Sequence, residues 1–182
     1  MTKNHYIYET QRIGVKGLTR EELEGAYPHW LNDQAICAFN SHGIYPASRA
    51  SAAAFIDSLQ GDRNQVVWAV YHKGDHCHIG NLSLQAMHWI NRSAEIAFLF
   101  GARSYWGQGY AEEAARLLLR HGFRQLNLHR IYCATAASNT GMRRLAEKLG
   151  MCEEGTRRQA LYLDGRYVDA VEFGLLCDEF AG

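Results

Sequence analysis

The run Tyr105-Trp106-Gly107-Gln108-Gly109-Tyr110-Ala111-Glu112-Glu113 stands between a strand pattern at 94–100 and a long amphipathic helix pattern that begins at Tyr110. Two glycines at such a junction let the backbone approach a ligand without interference from Cβ atoms. The helix that follows leaves its first N–H groups without intrahelical partners, and its dipole favours negative charge there. A glycine-rich loop opening onto a helix N-terminus therefore makes a cradle for a pyrophosphate. Two rival phosphate motifs do not fit. No Gly-x-x-x-x-Gly-Lys-Ser/Thr run occurs, and the third glycine of the dinucleotide fingerprint is replaced by Glu112. Taken alone, the stretch also reads as an ordinary loop with two glycines, so its surroundings decide.

Outward from this loop the chain alternates strands and helices. Residues 6–15 suggest a first strand. Thr19 can cap a helix running through Leu31, and Ser48 a second over 49–59. Residues 65–71 and 78–87 read as strands around a Lys73-Gly74-Asp75 turn. The stretch 94–100 is nearly all apolar and is expected to be buried on both faces. In the helix 110–125, Ala114, Leu117, Leu118 and His121 share one stripe. A strand follows at 130–135, then a helix from Thr140 to Leu149, capped by Asn139 and ended by Gly150. Strands at 155–163 and 166–176 flank Asp164-Gly165, a hairpin signal. This order indicates an α/β (α+β) domain built on a mixed sheet.

Composition narrows the partners. With 182 residues the chain reads as one domain, 1–182. Its 19 basic and 19 acidic residues cancel, which gives no reason to expect a nucleic-acid or membrane partner. No apolar run approaches the about 20 residues needed to cross a bilayer, and the first residues lack a signal-peptide core, so a cytoplasmic location is expected. The five cysteines are odd in number, widely spaced and without a Cys-x-x-Cys, as expected of reduced thiols; Cys133 falls in a strand pattern and is expected in the core. His72, His76, Cys77 and His78 are the densest cluster of metal-type ligands, but no second cluster completes a set, so a solvated turn is expected and no metal. Arg157 and Arg158 could bind a phosphorylated substrate; exposure on a strand is the simpler expectation.

Several runs together resemble the GNAT superfamily of N-acyltransferases. Ala94-Glu95-Ile96-Ala97-Phe98, followed by Tyr105 to Ala111 and Glu113-Ala114, is similar to that family's acetyl-CoA motif. His129-Arg130-Ile131, Asn139 at a helix start and Glu147-Lys148-Leu149-Gly150-Met151 follow in the family's order. Glu154-Gly155 and Tyr167-Val168-Asp169 resemble the C-terminal hairpin of the ribosomal-protein-alanine acetyltransferase branch. These matches span 79–176. A shorter run, Tyr27-Pro28-His29-Trp30-Leu31-Asn32-Asp33, with Ile79-Gly80-Asn81, is similar to GNAT proteins that acetylate amino sugars; otherwise Trp30 and Leu31 simply fill core.

The resemblance implies a fold splayed between its fourth and fifth strands, here 94–100 and 130–135, with helices on both faces of the sheet. It implies acetyl-CoA as co-substrate. Backbone N–H groups of Gly107, Gln108, Gly109, Tyr110, Ala111 and Glu112 would hold the pyrophosphate, while Trp106, also counted with the cofactor site, shapes the loop rather than touching phosphate. Backbone at Leu99, Phe100 and Gly101 would pair with the pantetheine arm, and one N–H there can stabilise an oxyanion. Asn139 resembles the family's pantetheine-contacting asparagine and can also be a plain N-cap. Glu95 matches the family's strand glutamate and is the candidate general base. It is the one acid in its strand and faces either solvent or a cleft; the cleft is expected. The sequence departs from the family at the general acid, where Ala146 and Met142 stand in place of proton donors. Tyr162 and Tyr167 lie on the hairpin that lines the acceptor site in relatives. The expected activity is acetyl transfer to a small primary amine such as a nucleotide-linked amino sugar. A protein N-terminus is the alternative acceptor, and a non-catalytic CoA-binding module the alternative class. A monomer or homodimer is expected.

Overall fold

Leu82 and Leu84 on one strand and Ala94 and Ile96 on the next point to the same side of a sheet, and the helical stripe containing Ala114 and Leu118 covers them. Around this contact the computed structural model, which describes residues 5–182, forms one mixed sheet. Its strands are β1 (Tyr8–Glu9), β2 (Ile13–Gly17), β3 (Val66–His72), β4 (His78–His88), β5 (Ser93–Leu99), β6 (Arg130–Ala136), β7 (Cys152–Leu163) and β8 (Arg166–Leu176). In space they run β1-β2-β3-β4-β5-β6-β8-β7, and every neighbouring pair is antiparallel except β5 and β6. One face packs against α3 (Tyr110–Arg124) and α4 (Thr140–Lys148). The other buries a smaller cluster against α1 (Tyr27–Trp30) and α2 (Arg49–Ser58), with Leu18, Trp30, Ile56, Ala69 and Leu99 at its centre. Among the described residues no helix is long and apolar enough to cross a membrane.

The parallel pair is short. Ser93, Ala94 and Glu95 pair with Arg130, Ile131 and Tyr132, and there the ladder stops. β5 continues to Leu99 beside β4, while β6 continues to Ala136 beside β8. The β6-facing edge of β5 beyond Glu95 therefore has no strand partner. This is the expected splay, but it falls between the fifth and sixth strands. The first strand, read as continuous over 6–15, is broken by a turn in which Thr10 Oγ1 accepts from the amides of Arg12 and Ile13, both at 3.1 Å. Tyr8–Glu9 then folds back on Gly14–Val15 as an extra strand, which shifts the count by one.

Two further expectations change. The helix from Thr19 to Leu31 is a 3₁₀ turn over Arg20–Glu24 followed by the one-turn α1. Thr19 does cap the first turn, but Gly25 leaves helical geometry (φ −101°, ψ −152°) and Pro28, which has no N–H, can only sit at a helix start. β5 is also not sealed on both faces. Ala94 and Ile96 are buried against the α3 side, whereas Glu95 and Ala97 alternate to the other face and are half-buried, because that face borders a cavity. The remaining boundaries agree with expectation to within a few residues, including Gly150 (φ 82°) at the end of α4 and the Asp164-Gly165 turn (φ 48° and 76°). Cys133 is buried as expected, and burial pushes its thiol pKa up to about 12.

The α1 side of the sheet is held by a buried carboxylate. Glu22 closes a capping box by accepting from the Thr19 amide at 2.7 Å, accepts from the Tyr71 hydroxyl, and pairs with Lys16 Nζ at 3.0 Å. Burial alone would raise its pKa, but these three partners outweigh it and hold the carboxyl below the ordinary 4.5. A depressed folded-state pKa stabilises the fold fully above the unfolded value, and that contribution is lost as pH falls through the folded value. Lys16→Met leaves this carboxylate without its cation and is expected to destabilise the protein by about 3 kcal/mol in denaturant titrations at pH 7. The deficit should narrow as pH falls below the ordinary carboxylate value of 4.5, where the carboxyl takes up a proton in variant and wild type alike; an equal deficit at all pH values would contradict the ion-pair account.

Candidate active site

Gly107 and Gly109 both adopt left-handed backbone (φ 74° and 84°), which favours glycine at each. The chain thereby turns from the 3₁₀ segment Arg103–Tyr105 directly into α3. No side chain caps α3, in contrast to α2 and α4, where Ser48 and Asn139 do so. The first amide to bond within the helix is that of Glu113, to Gly109 O at 3.0 Å. The amides of Tyr110, Ala111 and Glu112 are thus the unpaired donors of the helix start. The carboxylate of Glu112 is drawn along the helix toward Arg116 (3.0 Å) and Lys148 (3.8 Å), so it does not stand guard over those amides. Space in front of Gly107 is open, with no atom within 4 Å of where a Cβ would lie.

The loop is clamped from residues that the sequence did not single out. Arg12 donates to Gln108 O at 3.0 Å and to Glu113 Oε2 at 2.7 Å, and its guanidinium lies 4.6 Å from the centre of the Tyr110 ring. Thr10 also hydrogen-bonds Glu113. On the other flank the Tyr105 hydroxyl bonds Asp75, which holds His72 Nδ1 at 2.8 Å. The Tyr105 and His72 bonds, with the Cys77 amide, hold the Asp75 carboxyl far below its ordinary range. Trp106 donates from Nε1 to Phe100 O at 2.8 Å. It therefore ties the loop to the end of β5, in keeping with a shaping role. Gly101 lies directly under the Trp30 ring, where any Cβ would overlap it.

Behind β4 and β5, on the α1–α2 side, is a cavity of about 380 Å³. This size lies within the range of small-molecule sites, about 300–1,000 Å³. Tyr27, Leu31, Ala52, Phe55, Val67 and Leu99 form its apolar wall. Asn81, Ser83 and Gln85 add a polar row, two residues apart and hence on one face of β4. They stand opposite Leu99, Ala97 and Glu95 in the β4–β5 register. Glu95 does not itself line the cavity, but Gln85 does, and its Nε2 donates to Glu95 Oε2 at 3.1 Å. The carboxylate is half-buried and one side chain from the cavity wall. The regular β4–β5 pairing breaks immediately beyond this pair, at the bulge around Ala86 (φ 50°).

The remaining candidates are more dispersed. Asn139 is an N-cap: its Oδ1 accepts from the Met142 amide at 3.1 Å, and its Nδ2 donates to Thr135 Oγ1 at 3.0 Å. Ala146 is fully buried in the core, so its position holds no proton donor. Tyr162 and Tyr167 are exposed at the β7–β8 turn, with ring centres 5.1 Å apart. Arg157 is exposed and paired with Glu172 at 2.8 Å. Among the described residues no three His, Cys, Asp or Glu side chains come together as metal ligands. His72 is occupied by Asp75, and His78 by Asn81 (2.8 Å). In the Tyr27–Asp33 run, Trp30 is core, Asn32 exchanges two 2.8 Å bonds with the Ala47 backbone, and Asp33 pairs with Arg103.

Comparison with known proteins is consistent with this layout. The family description "Acetyltransferase (GNAT) domain" matches residues 12–152. A putative ribosomal N-acetyltransferase, YdaF, of Bacillus subtilis is 33% identical over 121 residues, which are 66% of this chain and 64% of that protein. The spermidine N(1)-acetyltransferase of Escherichia coli K12 is 29% identical over 87% of this chain and 83% of its own. In three dimensions, the Vibrio cholerae spermidine N-acetyltransferase solved with CoA and spermine superposes with a TM-score of 0.87 at 24% identity, covering 95% of this chain and all of that one. RimL, a ribosomal L7/L12 α-N-protein acetyltransferase solved with coenzyme A, gives 0.87 at 19% identity over 96% of this chain and 99% of its own. At these identities the two structures speak for the fold, and the family match covers most of the chain. The protein belongs to the GNAT family of N-acetyltransferases, acyl-transferring enzymes whose co-substrate is acetyl-CoA.

Proposed function

We propose that the enzyme acetylates the α-amino group at the start of a peptide or protein, with Glu95 as general base. The observation that carries this reading is the chemistry of the cavity wall. It offers amides and hydroxyls from Asn81, Ser83, Gln85 and Ser51 against an apolar background, and none of its lining residues is an aspartate or glutamate. Such a wall suits an uncharged body bearing one amine. A polyamine would bring several further cations into a place without carboxylates to pair them, at a large desolvation cost. The amino-sugar reading rested on the Tyr27–Asp33 run together with Ile79-Gly80-Asn81; the polar side chains Asn32 and Asp33 of the first are engaged in holding the neighbouring loop, while Asn81 lines the cavity. Among the relatives, the ribosomal N-acetyltransferase name of the Bacillus subtilis protein points the same way.

The cofactor's diphosphate would sit on the amides from Gly107 to Glu112. Its pantetheine arm, which carries amides at strand-like spacing, would pair with the unpartnered edge of β5 from Ile96 to Leu99, as an added strand does. The acetyl carbonyl then lies where the splay opens onto the cavity, and the amine attacks its carbon. An α-amino group with a pKa near 8 costs only about 1–1.5 kcal/mol to deprotonate at pH 7, so a carboxylate acting through one water suffices as base. Collapse of the tetrahedral intermediate breaks the C–S bond. The thiolate formed has a pKa of roughly 8–9 and leaves without a dedicated side-chain acid, consistent with alanine at position 146.

Release of free CoA thiol, measured with N-terminal peptides, nucleotide-linked amino sugars and spermidine in parallel, decides the acceptor. Peptides should be turned over in preference, and activity confined to spermidine or to the sugars would overturn the proposal. Glu95→Gln should lower kcat by about 100-fold at pH 7 with CoA affinity unchanged, and the loss should shrink as pH rises past the acceptor's pKa. A constant loss across the pH range would argue against a proton-accepting role. Gly109→Ala forces an L-residue into left-handed backbone at a cost of roughly 1–2 kcal/mol. Because the helix start must then move, CoA binding by calorimetry should weaken about tenfold; unchanged affinity would remove the loop amides from the cofactor site.

A further inference from the structure

A half-buried histidine behind the cavity fixes which way one wall residue faces. His78 is enclosed by aromatic rings, with Trp30 at 4.8 Å, Tyr71 at 5.2 Å and Tyr27 at 6.4 Å between centres. Its Nε2 lies 3.1 Å from Gly80 O and 2.8 Å from Asn81 Oδ1. A backbone carbonyl can only accept, so Nε2 must carry the hydrogen. The Asn81 atom sharing that hydrogen must then be an acceptor too, which makes it the carbonyl oxygen and not the amide nitrogen. The other ring nitrogen, Nδ1, is sealed and has no partner. That is tolerable for a neutral imidazole, and burial holds the His78 pKa below its ordinary value. The carboxamide of Asn81 is thereby locked, with its NH₂ turned away from His78. Asn81 lines the cavity, its Nδ2 makes no hydrogen bond among the described residues, and it is not one of the sealed, unsatisfied atoms. An unpaired donor therefore opens into the acceptor space.

We propose that Asn81 is a specificity-determining residue whose Nδ2 donates to an oxygen of the acceptor's body, and that His78 is the positioning residue that keeps this donor pointed at the acceptor. This rests on the acetyl-transfer reading above and adds to it what the acceptor must carry. Across β4–β5, Asn81 is paired with Leu99, at the far end of the row that leads through Ser83 and Gln85 to Glu95. Four residues of strand span about 13 Å. The donor thus stands one strand face away from the base, at a separation that a short extended acceptor can bridge. Three extended residues cover about 10 Å and the base acts through a water, so an acceptor whose third carbonyl oxygen meets Asn81 gains a hydrogen bond in a site where the donor is otherwise unpaired; one lacking that oxygen leaves it so.

The test compares two acceptors, a tetrapeptide with a free N-terminus and the same molecule with its third peptide bond replaced by an uncharged trans-alkene, by kcat/KM for CoA release. The wild-type enzyme should prefer the carbonyl-bearing form by tenfold or more. Asn81→Ala should abolish most of that preference through the acceptor KM, with the KM for acetyl-CoA unchanged. Asn81→Asp, which replaces the donor by an acceptor of the same shape, should do the same or invert it. His78→Phe keeps the ring packed against Trp30 and Tyr71 but cannot hold the carboxamide. It should lose the preference to the same extent, with no further loss when combined with Asn81→Ala, and His78→Gln should restore part of it. A preference that survives Asn81→Ala, or an equal loss with both acceptors, overturns the assignment. Wild-type enzyme that binds CoA but acetylates neither molecule defeats the peptide-acceptor reading itself.

Discussion

Three residue pairs hold β5 to β6, and the rest of the site depends on the ladder ending there. Had the pairing run on past Glu95, the backbone from Ile96 to Leu99 would be saturated by β6 and β5 would have no open edge. The divergence is stable because each strand keeps a full partner on its other side: β4 for β5 and β8 for β6. Backbone groups left unpaired in a protein interior are costly, so a gap of this kind is tolerated only where a ligand or water completes it. One face of β5 looks onto the cavity beneath the α1–α2 side while the other stays packed on α3. A single strand thus presents core on one face, a cavity wall on the other and an open edge between them.

The glycine loop illustrates how local and distant constraints combine. Left-handed backbone at Gly107 and Gly109 sets the path, but rigidity comes from outside the motif. Arg12 arrives from the β1–β2 turn, Asp75 from the β3–β4 turn, and the Phe100 carbonyl from the end of β5, each gripping a different point of the loop. Amides presented to an anion act well only if they need not reorganise when it binds. These outside contacts supply that fixity in a segment that has no regular structure of its own.

Much of this was legible in the sequence, and the exceptions have physical causes. Helix α3, the Asn139 and Ser48 caps and the Asp164-Gly165 turn are set by local chemistry, so the sequence alone located them. The turn of the glycine loop into α3 was readable for the same reason: glycine spacing before an amphipathic helix is a local signal. Arg12 and Asp75 were not, because nothing in their own neighbourhoods marks them and only the fold brings them to the loop. The row Asn81, Ser83, Gln85 left a trace, polar residues alternating with Leu82 and Leu84, but alternation alone means a solvated face as readily as a cavity. The first helix was misjudged because the Thr19 cap was weighed without Gly25 and Pro28. The faces of β5 were misjudged because apolar composition cannot distinguish a strand packed on both sides from one bordering an apolar cavity.

The grip of Arg12 and Thr10 on the loop has a bearing on where this domain begins. Similarity to the family starts at residue 12, and the central sheet from β2 onward would be intact in a chain trimmed to Ile13. Such a shortened protein would lack Thr10 and Arg12, and with them the contacts that the β1–β2 turn makes to the glycine loop. A boundary drawn at residue 12 keeps Arg12 but loses Thr10 and β1, so part of what steadies the loop lies upstream of the stretch that resembles the family.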